Sequence, residues 1–249
     1  MKSKCLMAGF VALLFSADLW GIEPEIYSPG GEVFITCPQG LDIHSFPSPF
    51  SEKTGLAVYG DTAVVLKDAQ TLTPVTIDHI AGYWVYAGCN GQKGYLFSGY
   101  LCVLPPPPDK MIDSVSEYLD FFFKVKGGPE TKKETFPNYI LTTTTALYDN
   151  GITSMKSKPV YQTGAIELTI EVYFFPMLTR IEQVFVLLSN LGYFQDGFGK
   201  EYPSASQSAK ENSYGYAVTL SENRLTVTGG GKHFIITWSP DGISLEIRY

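Results

Sequence analysis

The sequence predicts a mainly β protein: a small β-barrel followed by an α+β unit with an antiparallel sheet and about two helices. Three observations carry this expectation. Aromatic residues reach 14% beside 24 glycines and 16 prolines, a composition suited to many strands and tight turns. Two aromatic runs, Gly82–Gly88 and Lys93–Leu101, flank Asn90-Gly91, a strong hairpin-turn pair. A run of four prolines, Pro105–Pro108, divides a stretch of short strand patterns from one that also holds helical patterns.

In chain order, "EVFITC" alternates Val33, Ile35 and Cys37 against Glu32, Phe34 and Thr36. "TAVVLKD" reads as a buried strand. "VTIDHI" sets Val75, Ile77 and His79 on one side. The hairpin around Asn90-Gly91 follows. Five or six short strands in about eighty residues fit a small barrel. After the prolines, Ile112, Val115, Leu119 and Phe122 share a helical face, with Asp109 as cap and Gly127-Gly128 as the end. "YILTTTTALYDNGITSMKS" reads as a strand, a turn at Asp149-Asn150-Gly151, and a second strand. In "AIELTIEVYFF", Ile166, Leu168, Ile170 and Val172 form the packed side. The best helical pattern is "PMLTRIEQVFVLLSNLG". Pro176 suits its first turn and Gly192 its end, with a stripe of Leu178, Ile181, Val184, Phe185, Leu188 and Leu191. The remainder reads as a four-strand meander turning at Ser221-Glu222-Asn223, Gly229-Gly230-Gly231 and Pro240-Asp241-Gly242.

The organisation expected is a signal peptide at residues 1–21, a barrel at 23–104, a proline linker at 105–108 and an α+β domain at 109–249. Lys2 and Lys4 precede the apolar run Cys5–Phe15, the pattern of a secretory signal. That run is too short to span a bilayer comfortably, and no later segment resembles a span. Export to the periplasm or cell envelope, or into the medium, is therefore expected. A net charge of -7 gives no attraction for nucleic acid. Apolar residues at 45% and charged residues at 17% fit a folded chain.

Residues 39–102, about a quarter of the chain, resemble a bacterial SH3-like (SH3b) domain. Four landmarks occur in the family's order: "GLDIHSFPSPFSEK" (Gly40–Lys53), "VYGDTAVVL" (Val58–Leu66), "AGYWVYAG" (Ala81–Gly88) and "KGYLFSGYL" (Lys93–Leu101). The family's Asn-Val-Arg triplet is Asp42-Ile43-His44 here, and the second aromatic of its closing motif is Tyr95. The resemblance implies an SH3-like barrel with its first and last strands side by side. That arrangement would bring Cys37 near Cys102 as a disulfide candidate. It also implies a peptide-binding surface. The candidate ligand-binding residues are Tyr59, Tyr95 and Tyr100 in an exposed groove, Asp42 and His44 at its rim, and Trp84 beside it or in the barrel core.

No pattern for catalysis emerges. No cysteine follows Cys102, so the second unit has no thiol nucleophile. His44, His79 and His233 are the only histidines and stand far apart, which leaves no zinc-site spacing. No G-x-S-x-G elbow occurs. "GGGK" before His233 lacks P-loop spacing and reads as a strand turn. Glu167, Thr169 and Glu171 share one strand face, expected to be solvated. The expectation is an exported, non-catalytic binding protein, without metal or cofactor, holding a peptidoglycan peptide or an envelope protein. The alternatives are a carboxylate-dependent envelope hydrolase using Glu167 and Glu171, or an envelope structural protein with no discrete ligand.

Overall fold

The computed structural model describes residues 27–66, 71–108, 112–161, 168–194, 202–204, 210–211 and 215–249. The segment expected to be a signal peptide, Asp109, Ile166 and Glu167 lie outside the described residues. Among the described residues the protein is mainly β, with two antiparallel sheets and two α-helices.

The first sheet comprises β1 (Glu32–Ile35), β2 (Leu41–His44), β3 (Lys53–Ala57), β4 (Thr62–Val65), β5 (Thr71–Ile77), β6 (Ile80–Cys89), β7 (Gln92–Phe97) and β8 (Leu101–Cys102). Its order is β3-β2-β7-β6-β4-β1-β8, with β5 also pairing β6. The hairpin turns at Asn90-Gly91 as expected, with both residues at positive φ. The first and last strands pair, Phe34 opposite Cys102 and Ile35 opposite Leu101. A core of Val33, Ile35, Ile43, Ala63, Val65, Val85, Ala87, Leu96 and Leu101 fills one side of this sheet.

His79 does not continue the alternation of β5. Asp78 and His79 are the two turn residues between β5 and β6, at φ of 53° and 63°. A two-residue hairpin of matching twist needs positive φ at both positions, and Asp tolerates it better than most residues.

The second unit begins with α1 (Val115–Phe122). Its cap is Ser114, whose Oγ accepts from the Glu117 N–H at 3.2 Å, while Glu117 reaches back to the Asp113 N–H. This Ser-x-x-Glu pair is visible in the sequence, with Ser114 as the cap and Glu117 meeting the N–H one residue before it. The helix ends at Phe122, well before Gly127-Gly128. There the backbone is taken up in pairing: Val125 bridges Tyr148, and the Lys126 N–H donates to Leu147.

The second sheet runs β13-β14-β15-β16-β17-β12-β11-β10-β9. In chain order its strands are β9 (Glu130–Thr135), β10 (Tyr139–Leu147), β11 (Thr153–Tyr161), β12 (Ile170–Phe175), β13 (Lys210–Glu211), β14 (Ala217–Ser221), β15 (Arg224–Gly229), β16 (Lys232–Ser239) and β17 (Gly242–Arg248). The meander and the Asp149–Gly151 turn are as expected. The packed side of β12 is not. Glu171, Tyr173 and Phe175 are buried, whereas Ile170, Val172 and Phe174 are only half-buried. Large aromatic groups at the odd positions take the side facing the helices, and Glu171 is carried inward with them.

Helix α2 (Ile181–Asn190) packs against β16 and β17 on one side. It is buried beyond the expected stripe, since Val186 and Leu187 are covered too. A helix apolar all round is a helix covered all round. Its second cover is the first sheet. Ile80, Trp84, Phe97, Tyr100, Cys102 and Leu104 belong to the same apolar cluster as α2, Phe234 and Leu245. The molecule is thus layered sheet–helix–sheet around a shared core.

The proline run is part of that core, not an exposed connector. Pro106 and Pro107 are buried. Tyr118 Oη donates to the Pro105 carbonyl at 2.7 Å and Tyr59 Oη to the Pro107 carbonyl at 2.8 Å. A run without N–H donors packs against apolar neighbours without leaving buried donors unpaired, and its carbonyls are met by the tyrosines.

Candidate functional site

The expected groove residues do not form one groove. His44 is buried, 5% exposed, with Nδ1 3.2 Å from Ser51 Oγ and its ring edge-on to Trp84 at 4.9 Å. It pairs across the ladder with Tyr95, which meets Tyr86 edge-to-face at 5.1 Å. His44, Trp84 and Tyr95 are therefore together, but as packing rather than an exposed rim. Trp84, 4% exposed, belongs to the shared core with α2 and not to the core of the first sheet. Strand β6 explains this. Its first half buries Ile80, Gly82 and Trp84 toward α2, and its second half buries Val85, Ala87 and Cys89 on the other side. Phe97 fits beside Trp84 because Gly82 and Gly99 leave room. A methyl on Gly82 would sit 2.6 Å from the Phe97 ring, and one on Gly99 would overlap it. Asp42 is half-exposed and ion-paired with Lys53 at 2.8 Å. Tyr59 is tied to the proline run.

No disulfide joins Cys37 to Cys102; both are buried as thiols. The strands do pair, but their register places Cys102 opposite Phe34, three residues short of Cys37. Cys37 Sγ instead donates to Gln39 Oε1 at 3.6 Å, and Cys102 Sγ accepts from the Leu104 N–H at 3.4 Å. Burial pushes the Cys37 thiol above its ordinary pKa, so its reactive thiolate is scarce.

The feature able to hold a ligand lies where the layers meet. A cleft of about 280 Å³ opens between the first sheet and α2. Ile80, Phe185 and Val186 give it apolar walls, and Asp78, Ser189 and Asn190 give it polar ones. Tyr100 also lines it. Its hydroxyl donates to Asp78 Oδ2 at 3.0 Å, and burial followed by the Asp78 charge keeps it protonated far above the usual phenol range. Tyr100 is thus a wall of a cleft, not part of an exposed groove. The Asp78-His79 turn that carries the carboxylate is fixed in place by the two-residue hairpin between β5 and β6.

Both ends of α2 fix the cleft. At its start Gln183 Oε1 accepts from the Thr179 and Arg180 N–H groups. That frees the Arg180 guanidinium to donate to the Ala81 carbonyl at 2.8 Å and the Ser98 carbonyl at 2.9 Å. At its end Asn190 Nδ2 donates to the Thr36 carbonyl at 2.9 Å. Arg180→Ala is expected to cost about 3 kcal/mol, since two charge-assisted hydrogen bonds disappear and two carbonyls lose their donors. Arg180→Lys would recover little of this, because an ammonium lacks the forked geometry. Urea midpoints of the two variants check both statements.

Glu171, the remaining carboxylate of the expected acidic pair, is neither solvated nor open. It is 5% exposed. Oε1 meets Lys156 Nζ at 2.7 Å, and Oε2 accepts from Tyr173 at 2.8 Å and Tyr249 at 3.1 Å. Every oxygen is engaged, as a buried carboxylate requires. Among the described residues no three side chains of His, Cys, Asp and Glu come together as a metal site. No family model, curated protein or solved structure matches the chain.

Proposed function

We propose that this is an exported, non-catalytic binding protein that holds a peptide segment, from the cell wall or from an envelope protein, in the cleft beside α2. The observation that carries the reading is the cleft itself, with apolar walls and the Asp78 carboxylate as the charged group among its lining residues. A carboxylate at the rim of an apolar recess selects an amine or amide donor attached to a small apolar body, which is peptide chemistry. At about 280 Å³ the recess is just under the usual range for whole small ligands, so it suits one or two side chains of a longer chain. The SH3b landmarks and the pairing of first and last strands support a binding module of that kind. The proposed contact lies at the junction, where Asp78 and Tyr100 line the cleft, and not at Tyr59 or Tyr95.

The test is calorimetric titration of the protein with wall stem peptides and with amine-bearing peptides from envelope proteins. Asp78→Asn is the informative variant, because Asn tolerates positive φ and keeps the turn while removing the charge. Affinity is expected to drop about tenfold or more, the worth of one charge-assisted hydrogen bond. Absence of binding for every peptide, or binding indifferent to Asp78→Asn, would sink the reading.

A further inference from the structure

Strands β2 and β3 pair antiparallel, and residues 45–51 of the loop between them read SFPSPFS, without a charge. Phe50 is 96% exposed there and Phe46 68%. Among the described residues these are the two most exposed large apolar side chains, and both stand on one loop. Single exposed apolar residues are ordinary, whereas large ones gathered at one place mark a contact.

The loop is tied down by its own hydrogen bonds. The Ser45 N–H donates to the Glu52 carbonyl at 2.9 Å, and the Ser48 N–H to the Phe46 carbonyl at 2.7 Å. The Phe46 N–H donates to Ser51 Oγ at 3.4 Å and the Phe50 N–H to Ser48 Oγ at 3.2 Å. The Ser51 N–H donates to the Ser48 carbonyl at 3.2 Å. Pro47 and Pro49 have no N–H. Every backbone donor from Ser45 to Ser51 is thus satisfied within the hairpin. Ser51 Oγ also lies 3.2 Å from Nδ1 of His44, which is buried edge-on against Trp84, so the loop is anchored to the core. It holds its two phenyl rings outward on a fixed base.

We propose that residues 45–51 form a wedge that seats Phe46 and Phe50 in the interfacial layer of a lipid bilayer, without a requirement for anionic lipid. Closed backbone donors favour lipid over a protein partner. A protein that grips a loop exchanges hydrogen bonds with it, and this loop has no free N–H to give. A hydrocarbon layer offers no acceptors and admits only backbone whose donors are already met. The flanking charges explain the indifference to headgroup charge. Glu52 is an anion, and Lys53 is paired with Asp42 at 2.8 Å. The attraction is therefore apolar. Among the described residues no helix is long and apolar enough to cross a membrane, so the contact is peripheral.

The experiment adds phosphatidylcholine vesicles to the Phe50→Trp variant, which keeps an aromatic ring and places a reporter in the loop. Relative to the unsubstituted protein, the added emission should move to the blue and be quenched by brominated acyl chains. In flotation with excess vesicles, Phe50→Ser should weaken binding about tenfold and the Phe46→Ser, Phe50→Ser double variant about 100-fold, the worth of burying one and two phenyl groups. High salt and added phosphatidylglycerol should change binding little. Asp78→Asn should bind vesicles as the parent does, because no residue of the loop lines the cleft. Circular dichroism shows that each variant is folded. Added emission that vesicles leave unmoved overturns the proposal, as does binding lost at high salt. So does binding that the double variant retains in full, which would assign it to another segment such as the apolar run Cys5–Phe15. Self-association abolished by the double variant, with no response of Phe50→Trp to vesicles, would overturn it in favour of a second copy of the chain.

Discussion

Raising the pH through about 11 to 12 is expected to unfold the protein cooperatively. The cause is a set of buried phenols. Burial pushes the hydroxyls of Tyr118, Tyr173 and Tyr202 far above their ordinary range, and the charges of Glu171 and Glu182 add to the shift at Tyr173 and Tyr202. Tyr148 is pushed up to about 12 by burial and then by its hydrogen bond to Asp120. Below pH 10 these groups are protonated in both the folded and the unfolded chain, and their contribution is fully present. Above it the unfolded chain ionises while the folded chain holds its protons. The unfolded state then binds fewer protons, so stability falls as pH rises. Each such phenol removes about 1.4 kcal/mol per pH unit until its folded pKa is reached. Tyr118, Tyr173 and Tyr202 together remove about 4 kcal/mol per unit, against a total stability on the order of 5–15 kcal/mol. Tyrosinate absorbance and far-ultraviolet circular dichroism, followed together, check this. The buried phenols should ionise only as the structure is lost. Reversible ionisation of all tyrosines near pH 10 with the fold intact would show that they are not buried as described.

Trp84→Ala is expected to destabilise both sheets at once, by about 3–5 kcal/mol. The side chain is 4% exposed and meets His44 and Phe97 edge-on in the cluster that also holds α2. Its removal leaves a cavity in the layer on which α2 rests, and α2 in turn covers β16 and β17. Trp238 lies on β16 and reports on the second sheet. Its fluorescence transition should shift to lower urea by roughly 1–2 M. If that transition stays in place while the first sheet melts early, the two sheets are separate folding units and the shared core contributes no coupling.

Much of the strand pattern was legible because alternation and turn chemistry act over a few residues. The Asn90-Gly91 hairpin and the terminal meander depend only on local backbone preference, and both stand as expected. The cap of α1 is legible in Ser114 and Glu117, which stand closer to the apolar face of the helix than Asp109 does. The inward side of β12 was not legible. Alternation defines two sides without saying which is covered, and Glu171 turns inward only because Lys156, Tyr173 and Tyr249 supply partners from other strands. The candidate site was read only in part. Tyr100 is legible as a candidate, but Asp78 is not, since the alternation of "VTIDHI" runs on through it and nothing local reveals that β5 and β6 meet at a two-residue turn.

One local signal points to the junction. The stretch Val184–Leu188 is apolar on every side, more than a helix with a single cover needs. What that helix meets on its second side depends on residues more than eighty positions away, and so does the placing of Arg180 on Ala81 and Ser98. The sequence by itself determined the mainly β class, the two helices, most turns and the acidic charge, because these follow from short-range periodicity and composition. Only the tertiary structure decided that the prolines are buried, that Cys37 and Cys102 stay apart, and that a cleft forms beside α2. Each of these depends on register and packing between segments distant in the chain, which a local pattern does not encode.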